Sequence, residues 1–186
     1  QALVPDSVPK SMIIVGSGAI GIEFASFYNA LGSEVIVLEA ADRILPVEDA
    51  EISVMAKKAF ESRGIKFKTG VKLEAQKSSG KGVSVTFDYN GKKESLESEV
   101  LLMAVGIVGN IEDIGLEKTK VIVEKGHIVT NSMMQTAESG VFAIGDVAGA
   151  PWLAHKASHE GIITAEFIAG KNPHAITKTN IPGCTY

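Results

Sequence analysis

Short apolar runs and stretches of helical periodicity alternate through the first forty residues of this 186-residue sequence. Residues 12–15 and 34–38 are rich in β-branched side chains, which is typical of strands buried on both faces of a parallel sheet. Between them the apolar residues follow helical spacing, which predicts a helix that ends at Gly32. Its predicted inner face consists of Ile20, Phe24, Phe27 and Leu31. Strand, helix and strand in this order predict a parallel βαβ unit.

The apolar period changes twice in the following segment. A second helix is predicted over about residues 49–63, and a short strand over 65–68. The inner face of that helix is expected to hold Ile52, Met55, Ala56, Ala59 and Phe60. Residues 71–96 alternate between apolar and polar and contain the hairpin signal Asn90-Gly91, which predicts an antiparallel meander inserted into the parallel pattern. The apolar run 100–105 then predicts a return to a buried strand.

The second half of the chain has weaker patterns. Short strands are predicted near residues 121–123 and 127–130, and a buried strand over 141–144. A last helix is predicted to start near His155 and to close at Gly170 and Pro173. Its expected inner face consists of Ala157, Gly161, Ile162, Ala165 and Ile168. The predicted fold class is α/β, with a Rossmann-like βαβ nucleotide-binding domain that carries the antiparallel meander.

The glycine-rich loop after the first strand carries the sharpest chemical signal. Its sequence, Gly16-Ser17-Gly18-Ala19-Ile20-Gly21, is a G-x-G-x-x-G that leads from the strand directly into the helix. In this context the glycines allow a pyrophosphate to approach the backbone, and the helix N-terminus offers N–H groups and a positive dipole end. The loop therefore predicts a dinucleotide site, and the alternative is that the glycines serve packing alone.

Two acidic residues near this loop are candidates for contacts with the ligand. Glu39 ends the second strand and follows Gly16 at about the sequence separation that the motif requires. A carboxylate there accepts both hydroxyls of an adenosine ribose and repels a 2′-phosphate, so it favours NAD(H) over NADP(H). The alternative for Glu39 is an acid that merely caps the strand end. Glu23, one turn into the helix, has a solvated helix acid as its default interpretation.

A second candidate site follows the predicted strand 141–144, which leads into Gly145-Asp146. This places a carboxylate at the C-terminal edge of a sheet, where cofactors bind in open α/β sheets, and an Asx-turn is the alternative. His155 and His159 are four residues apart, but no further Cys or His lies at zinc-site spacing, so we predict no metal site. We interpret the N-terminus of this helix as a site for an anion or an electron-rich atom.

Composition narrows the classes of function. The net charge of −4 argues against a surface for nucleic acid or an anionic membrane, and no apolar run reaches the ~18 residues that a membrane span needs. The first residues have neither a basic region nor a cleavable apolar core, so no signal peptide is expected. Cys184 is the only cysteine, which excludes an intramolecular disulfide and a dithiol redox centre within this chain.

Four of these segments together resemble one enzyme family. The segments VGSGAIGIEFA (15–25) and EAADRILP (39–46) resemble the NAD-binding segment of dihydrolipoamide dehydrogenases. The segment TAESGVFAIGD (136–146) is similar to the second FAD-binding motif of pyridine-nucleotide disulfide oxidoreductases. The segment LAHKA (153–157), followed by Glu160-Gly161, resembles the flavin-facing helix start of lipoamide dehydrogenases. The resemblance covers nearly the whole chain, and the combined motifs are specific.

The resemblance implies two cofactors, NAD and FAD, and assigns no catalytic residue and no metal ligand to this chain. The glycine loop would hold the NAD pyrophosphate, Glu39 the adenosine ribose, and Glu23 would lie by the nicotinamide and the flavin. Asp146 would bind the ribityl–phosphate region of FAD, and the backbone at 153–155 would approach the pyrimidine side of the flavin. The expected cofactor-binding residues are Gly16, Gly18, Ala19, Ile20, Gly21, Glu23, Glu39, Gly106, Gly145, Asp146, Leu153, Ala154 and His155.

The resemblance also implies parts that this sequence does not contain. The family's first FAD glycine motif, its redox cysteine pair and its interface domain with a His/Glu acid–base pair have no counterpart here. Where the family usually has Gly-Arg-x-Pro-Asn, this chain has Gly106-Ile107-Val108-Gly109-Asn110. We therefore expect the chain to be the middle of a larger enzyme and to be inactive with a dithiol on its own.

These implications give an expected organisation and function. Residues 1–10 would be a linker, 11–115 an NAD-binding domain and 116–186 an incomplete C-terminal portion of an FAD-binding domain. The larger enzyme would oxidise protein-bound dihydrolipoamide through a disulfide and FAD, and would reduce NAD⁺. Its partners would be the lipoyl domain of a 2-oxoacid dehydrogenase complex and a second copy of itself, in the bacterial cytoplasm or the mitochondrial matrix. The alternatives are an NADPH-dependent relative of glutathione or mercuric reductase, and a non-catalytic NAD(H)-binding module.

Overall fold

The computed structural model describes residues 2–80 and 82–185, so Gln1 of the predicted linker lies outside the described residues, as do Lys81 and Tyr186. The chain folds into two compact units. The first runs to Val105 and includes Thr185, and the second spans Gly106–Cys184. Within the described ranges, no helix is long and apolar enough to cross a membrane.

The first unit combines a parallel sheet with an antiparallel one. Its elements are β1 (Ser11–Val15), α1 (Ala19–Ala30), β2 (Glu34–Glu39), α2 (Ala50–Ser62), β3 (Lys66–Thr69), β4 (Lys72–Ser79), β5 (Gly82–Tyr89), β6 (Lys92–Ser98) and β7 (Val100–Met103). The parallel sheet has the order β3-β2-β1-β7, and β4, β5 and β6 form an antiparallel meander. This arrangement confirms the predicted α/β fold with an inserted meander.

The parallel sheet separates two hydrophobic cores, as β1 illustrates. Met12 and Ile14 lie in one core cluster with Tyr28 of α1. Ile13 and Val15, on the opposite face of β1, lie in another core cluster with Phe87 of the meander. Successive side chains of a strand point to opposite faces, so a strand covered on both faces needs apolar residues throughout. The first unit is therefore built as helices, sheet and meander in three layers.

The second unit has little regular structure besides one long helix. Its elements are β8 (Val123–Glu124), β9 (His127–Ile128), α3 (Ala154–Ile168) and 3₁₀ turns at Leu116–Lys118, Gly145–Ala148 and Lys178–Asn180. The strand predicted over 141–144 is wrong, since the described chain forms only an isolated bridge there, between Gln135 and Phe142. The strand predicted over 100–105 is present as β7, but it is not buried as predicted, because β7 lies at the edge of the sheet and its Met103 is 42% exposed.

Each of α1, α2 and α3 buries a face that only partly matches the one that apolar periodicity predicts. Phe24 and Phe60, both on predicted inner faces, are partly buried against the core. Phe27 is 52% exposed, Met55 67% and Ile168 65%, although all three belong to predicted inner faces. The residues that these helices bury are Gly21, Ile22, Ala25 and Tyr28 of α1, Ser53 of α2, and Lys156, Glu160 and Ile163 of α3. The buried faces therefore combine large side chains such as Tyr28 and Ile163 with small residues, a serine and an ion pair, and apolar periodicity does not indicate the small and polar members.

Candidate functional site

The carboxyl end of the parallel sheet brings the glycine loop and Glu39 together. β1 ends at Val15 and pairs in parallel with β2, which ends at Glu39. β2 and β3 follow on one side of β1 and β7 lies on its other side, so the order of the strands in the sheet changes direction at β1. The N–H of Ala104, just after β7, donates to the Val15 carbonyl at 2.7 Å. The loop after β1 thus lies at the switch point where open α/β sheets bind ligands.

Gly16 and Gly21 are required by the packing of the chain itself. A Cβ atom added to Gly21 would lie 2.0 Å from the Gly16 carbonyl oxygen, and one added to Gly16 would lie 2.3 Å from the Ala104 carbonyl oxygen. Gly16 also has φ +99°, which is a conformation that favours glycine. The alternative interpretation, in which glycine serves packing, therefore accounts for these two positions without a ligand.

Gly18 is the glycine of the motif that packing does not explain. A Cβ atom there would have nothing within 4 Å, and its φ of −66° and ψ of −179° suit any residue. Gly18 is the N-cap residue of α1, and no side chain caps this helix end. Ala19 and Ile20 begin the first turn, half-buried and exposed respectively. Open space beside an uncapped helix N-terminus fits the backbone recognition of a phosphate.

The Glu39 carboxylate is held by the loop that lies opposite it. Its Oε2 accepts hydrogen bonds from the N–H and the Oγ of Ser17, both at 2.7 Å, and its Oε1 accepts one from the N–H of Ala41 at 2.8 Å. Ser17 is fully buried, and Glu39 is half-buried. An ionised carboxylate has about four acceptor positions, so these three bonds leave it little spare capacity. A ribose hydroxyl would use the remaining position or replace the Ser17 hydroxyl.

The environment keeps Glu39 ionised. Burial raises the pKa of its carboxyl, but hydrogen bonds from Ala41, from the Ser17 side chain and backbone, and from Ala40 lower it, and the net pKa lies below the ordinary value of 4.5. These donors stabilise the charged form because each directs an N–H or O–H dipole at the carboxylate. Glu39 is therefore a fixed negative charge at neutral pH. Such a charge repels a 2′-phosphate, whereas a ribose hydroxyl donates to it.

Two further residues predicted to bind the nucleotide, Glu23 and Gly106, lie outside the glycine loop. Glu23 is half-buried on α1, five residues after the N-cap Gly18. Gly106 is exposed and is the first residue of the second unit. The loop glycines and Glu39 are thus brought together within the first unit, and Asp146 and the start of α3 belong to the second.

In the second unit, Gly145 and Asp146 lie on a short turn that packs against α3. Gly145 is buried, whereas Asp146 is exposed. Among residues 2–80 and 82–185, no hydrogen bond is made to the Asp146 carboxylate. The Asx-turn alternative requires such a bond from a backbone N–H two residues on, so it does not describe this turn. An exposed, unpaired carboxylate beside a helix start fits the recognition of a ligand hydroxyl.

The first turn of α3 has no side-chain cap and no acidic residue. Its N-cap is Leu153, which is half-buried, and Ala154 and His155 are exposed at the start of the helix. The Nε2–H of His155 donates to the Pro182 carbonyl at 2.9 Å, so the C-terminal segment of the second unit lies against this histidine. The uncapped N–H groups retain the positive end of the helix dipole, as an anion site requires.

Two residues of these sites carry contacts that the sequence patterns do not reveal. Ser17 is a variable position of the glycine motif, and its contact with Glu39 spans 22 residues along the chain. Lys156 forms a buried ion pair with Glu160, 3.0 Å between Nζ and Oε1. The i, i+4 spacing of a lysine and a glutamate was a visible signal for this pair, but charged side chains are rarely buried, and nothing in the local sequence indicates that these two are.

The amino-acid sequence matches a known family over most of its length. The family profile described as "Pyridine nucleotide-disulphide oxidoreductase" matches residues 1–161. The chain is 47% identical to the dihydrolipoyl dehydrogenase of Rhizobium etli, covering 100% of this chain and 39% of that protein. It is 46% identical to the dihydrolipoyl dehydrogenase of Zymomonas mobilis, covering 100% of this chain and 40% of that protein. The chain thus spans about 40% of the length of these curated relatives.

Solved structures match the fold as well. The crystal structure of LpdA from Mycobacterium tuberculosis superposes with a TM-score of 0.80 at 30% sequence identity, covering 93% of this chain and 37% of that one. Both the sequence and the fold are therefore similar to those of one group of flavoprotein and pyridine-nucleotide enzymes.

Proposed function

The chain belongs to the pyridine nucleotide-disulphide oxidoreductase family, and we propose that it is the NAD-binding part of a dihydrolipoyl dehydrogenase. In this proposal the longer protein oxidises dihydrolipoamide carried by a lipoyl domain and reduces NAD⁺. FAD, when bound, would pass two electrons to NAD⁺ from a cysteine pair of the longer protein, which dihydrolipoamide reduces from the disulfide to the dithiol. That protein would act as a homodimer within a 2-oxoacid dehydrogenase complex, in the bacterial cytoplasm or the mitochondrial matrix.

The roles of the residues in this chain are binding and orientation. The loop Gly16–Gly18 and the first turn of α1, Ala19, Ile20 and Gly21, would receive the NAD pyrophosphate at uncapped N–H groups. The Glu39 carboxylate would accept the adenosine ribose hydroxyls. Glu23 would lie by the nicotinamide end, and Gly106 is proposed as a further cofactor-binding residue. We infer domain limits of 11–115 and 116–186, and residues 1–10 as a linker.

The second unit would contribute one wall of the flavin site. The exposed carboxylate of Asp146, on the turn that begins at Gly145, would accept hydroxyls of the ribityl region. The uncapped first turn of α3, at Leu153, Ala154 and His155, would face the electron-rich pyrimidine edge. The chain has one cysteine, so it cannot close a disulfide by itself, and we expect no dithiol oxidation by this chain alone.

The observation that carries the proposal is the open space at Gly18. Neither conformation nor packing requires glycine there, and the residue is the N-cap of a helix end that no side chain caps, which fits the close approach of a ligand to the helix N–H groups. In Gly18→Ala, the lower entropy of the unfolded chain favours folding by about 0.4–1 kcal/mol, while alanine is less favourable than glycine at an N-cap by a similar amount, so the free energy of unfolding should change by less than about 1 kcal/mol. The same methyl group would prevent the approach of the pyrophosphate.

Calorimetric titration with NADH tests this proposal. The unsubstituted chain should bind NADH, and Gly18→Ala should bind it roughly tenfold to a hundredfold more weakly, since a hydrogen bond to a charged group contributes ~1.5–3 kcal/mol. The matched control is Gly80→Ala, because a Cβ atom there also has nothing within 4 Å but the residue lies in the meander. NADPH should bind at least about tenfold more weakly than NADH, because the negative charge on Glu39 repels the 2′-phosphate. Equal NADH affinity of Gly18→Ala and the unsubstituted chain would contradict the proposal.

A further inference from the structure

Lys156 and Glu160 form a buried ion pair that the proposed nucleotide contacts do not use. Their side chains are 1% and 3% exposed, and Nζ lies 3.0 Å from Oε1. Burying two charges is costly unless every polar atom finds a partner, so such a pair needs a specific explanation. Both residues lie on the buried face of α3, one helical turn apart.

The pair connects α3 to both ends of the turn that carries Asp146. Besides Glu160, the Lys156 ammonium donates to the carbonyl of Gly145 at 3.2 Å and to that of Gly149 at 2.8 Å. The three N–H bonds of the ammonium thus have three acceptors. Glu160 completes the connection, because its Oε2 accepts the N–H of Gly145 at 2.7 Å.

Gly145 is therefore held at both of its backbone polar groups. Its N–H is bonded to Glu160 and its carbonyl to Lys156, while a Cβ atom added to it would lie 3.4 Å from Cβ of Ala157. Asp146 is the next residue, and its own carboxylate has no hydrogen-bond partner in the described chain. The position of that carboxylate is consequently set by the backbone on either side of it.

We propose that Lys156 and Glu160 are positioning residues that clamp the 145–149 turn and thereby present the Asp146 carboxylate to a hydroxyl of the flavin cofactor. The assignment of the ligand rests on the proposed function. The clamp itself rests on the three hydrogen bonds between the ion pair and the two glycines. Without the pair, the buried N–H and carbonyl of Gly145 would lack partners, and the turn would move so that these groups reach water.

A double replacement separates positioning from stability. Buried ion pairs replaced by apolar residues of similar volume generally leave a folded protein, unlike single replacements, which strand one charge. We therefore use Lys156→Met with Glu160→Leu. The matched control is Lys57→Met with Glu61→Leu, which removes an i, i+4 pair from α2 whose side chains are 37% and 49% exposed.

The first measurement is amide hydrogen exchange of Gly145, followed by NMR. In the clamp variant, exchange of this N–H should accelerate by roughly tenfold or more, because a charge-assisted hydrogen bond no longer opposes local opening. Amides in the middle of α3 and the NADH affinity of the chain should stay as they were, and so should Gly145 in the control variant. Unchanged Gly145 protection in a folded clamp variant overturns the proposal, whether or not flavin binds.

The second measurement is titration with FAD, followed by flavin fluorescence, in a double-mutant cycle with Asp146→Asn. Loss of the clamp and loss of the carboxylate should each weaken FAD binding by roughly tenfold, the effect of one hydrogen bond to a charged group. Combined, they should weaken it no further, because the clamp acts through Asp146. Additive losses overturn the positioning role. If the unsubstituted chain does not bind FAD, the one wall of the flavin site that it is proposed to supply is insufficient for binding by itself, and the amide measurement then decides the clamp.

Discussion

The replacement Ser17→Ala tests whether the glycine loop and Glu39 form one unit. It removes the hydroxyl that donates to Glu39 Oε2 at 2.7 Å and keeps the Ser17 N–H, which donates to the same oxygen at 2.7 Å. Ser17 has no exposed surface, so water cannot take the place of the hydroxyl at Ser17. A hydrogen bond to a charged group contributes ~1.5–3 kcal/mol. Glu39 is only half-buried and keeps two other donors, so we expect a loss of about 1–2 kcal/mol.

The pH dependence of this loss has a definite sign. The hydrogen bonds to Glu39 outweigh its burial and lower its pKa below 4.5 in the folded state. A lowered folded-state pKa gives stability that is complete above the pKa of the unfolded chain and is lost as pH falls through the folded value. Ser17→Ala removes one of the bonds that lower the pKa. The stability difference between the two chains should therefore be full at neutral pH and should narrow below about pH 4.5.

The assay is urea unfolding with pulsed hydrogen exchange, read on peptides from β1 and β2 so that only the first unit is followed. Ser62→Ala is the control, since the Ser62 hydroxyl is exposed and donates to an uncharged carbonyl, that of Ala59, at 2.7 Å. A loss within about 0.5 kcal/mol, the usual scatter of surface replacements, would refute the reasoning. A difference that stays constant down to acid pH would refute the assignment of the effect to the Glu39 charge.

Two further replacements test the packing of each unit. Gly21→Ala places a methyl group 2.0 Å from the Gly16 carbonyl oxygen. The free energy of unfolding of the first unit, measured in urea, should therefore fall by about 2–3 kcal/mol, less any gain from the higher helix propensity of alanine. A loss near zero would contradict the close approach of α1 to the loop. Lys156→Met alone leaves Glu160 buried and unpaired, so the free energy of unfolding of the second unit should fall by about 3–5 kcal/mol. This unfolding is measured by the fluorescence of Trp152, the only tryptophan of the sequence. A loss below about 1 kcal/mol would contradict the burial of the pair.

The alternation of strand and helix signals was sufficient to predict the first unit, because parallel strands and their connections leave strong local patterns. Which face each helix buries was not predictable in the same way. α1 buries Gly21 because that residue lets the helix approach the sheet closely, and Phe27 faces outward as a consequence. In α3 the buried face contains Lys156 and Glu160, whose burial depends on a turn at Gly145 and Gly149. Contacts of this kind join distant segments, so periodicity within one helix does not report them.

In the candidate sites, too, local motifs were predictable from the sequence and contacts between distant segments were not. The positions of Gly18, Glu39 and Asp146 follow from motifs that a reader of the sequence can find. The hydrogen bonds that hold these groups, from Ser17 to Glu39 and from Glu160 to Gly145, do not. The segment 141–144 has the composition of a buried strand, yet it forms no strand in the described chain, because a strand depends on neighbours that its own composition cannot supply.

The different surroundings of the three motif glycines have a consequence for how such a protein diverges. A change at Gly16 or Gly21 disturbs the fold and is removed by selection for a stable protein, whatever the protein does. A change at Gly18 meets open space, so the fold tolerates it. Under the proposed role of Gly18, one base substitution in that codon would yield a descendant that keeps the architecture and loses nucleotide recognition.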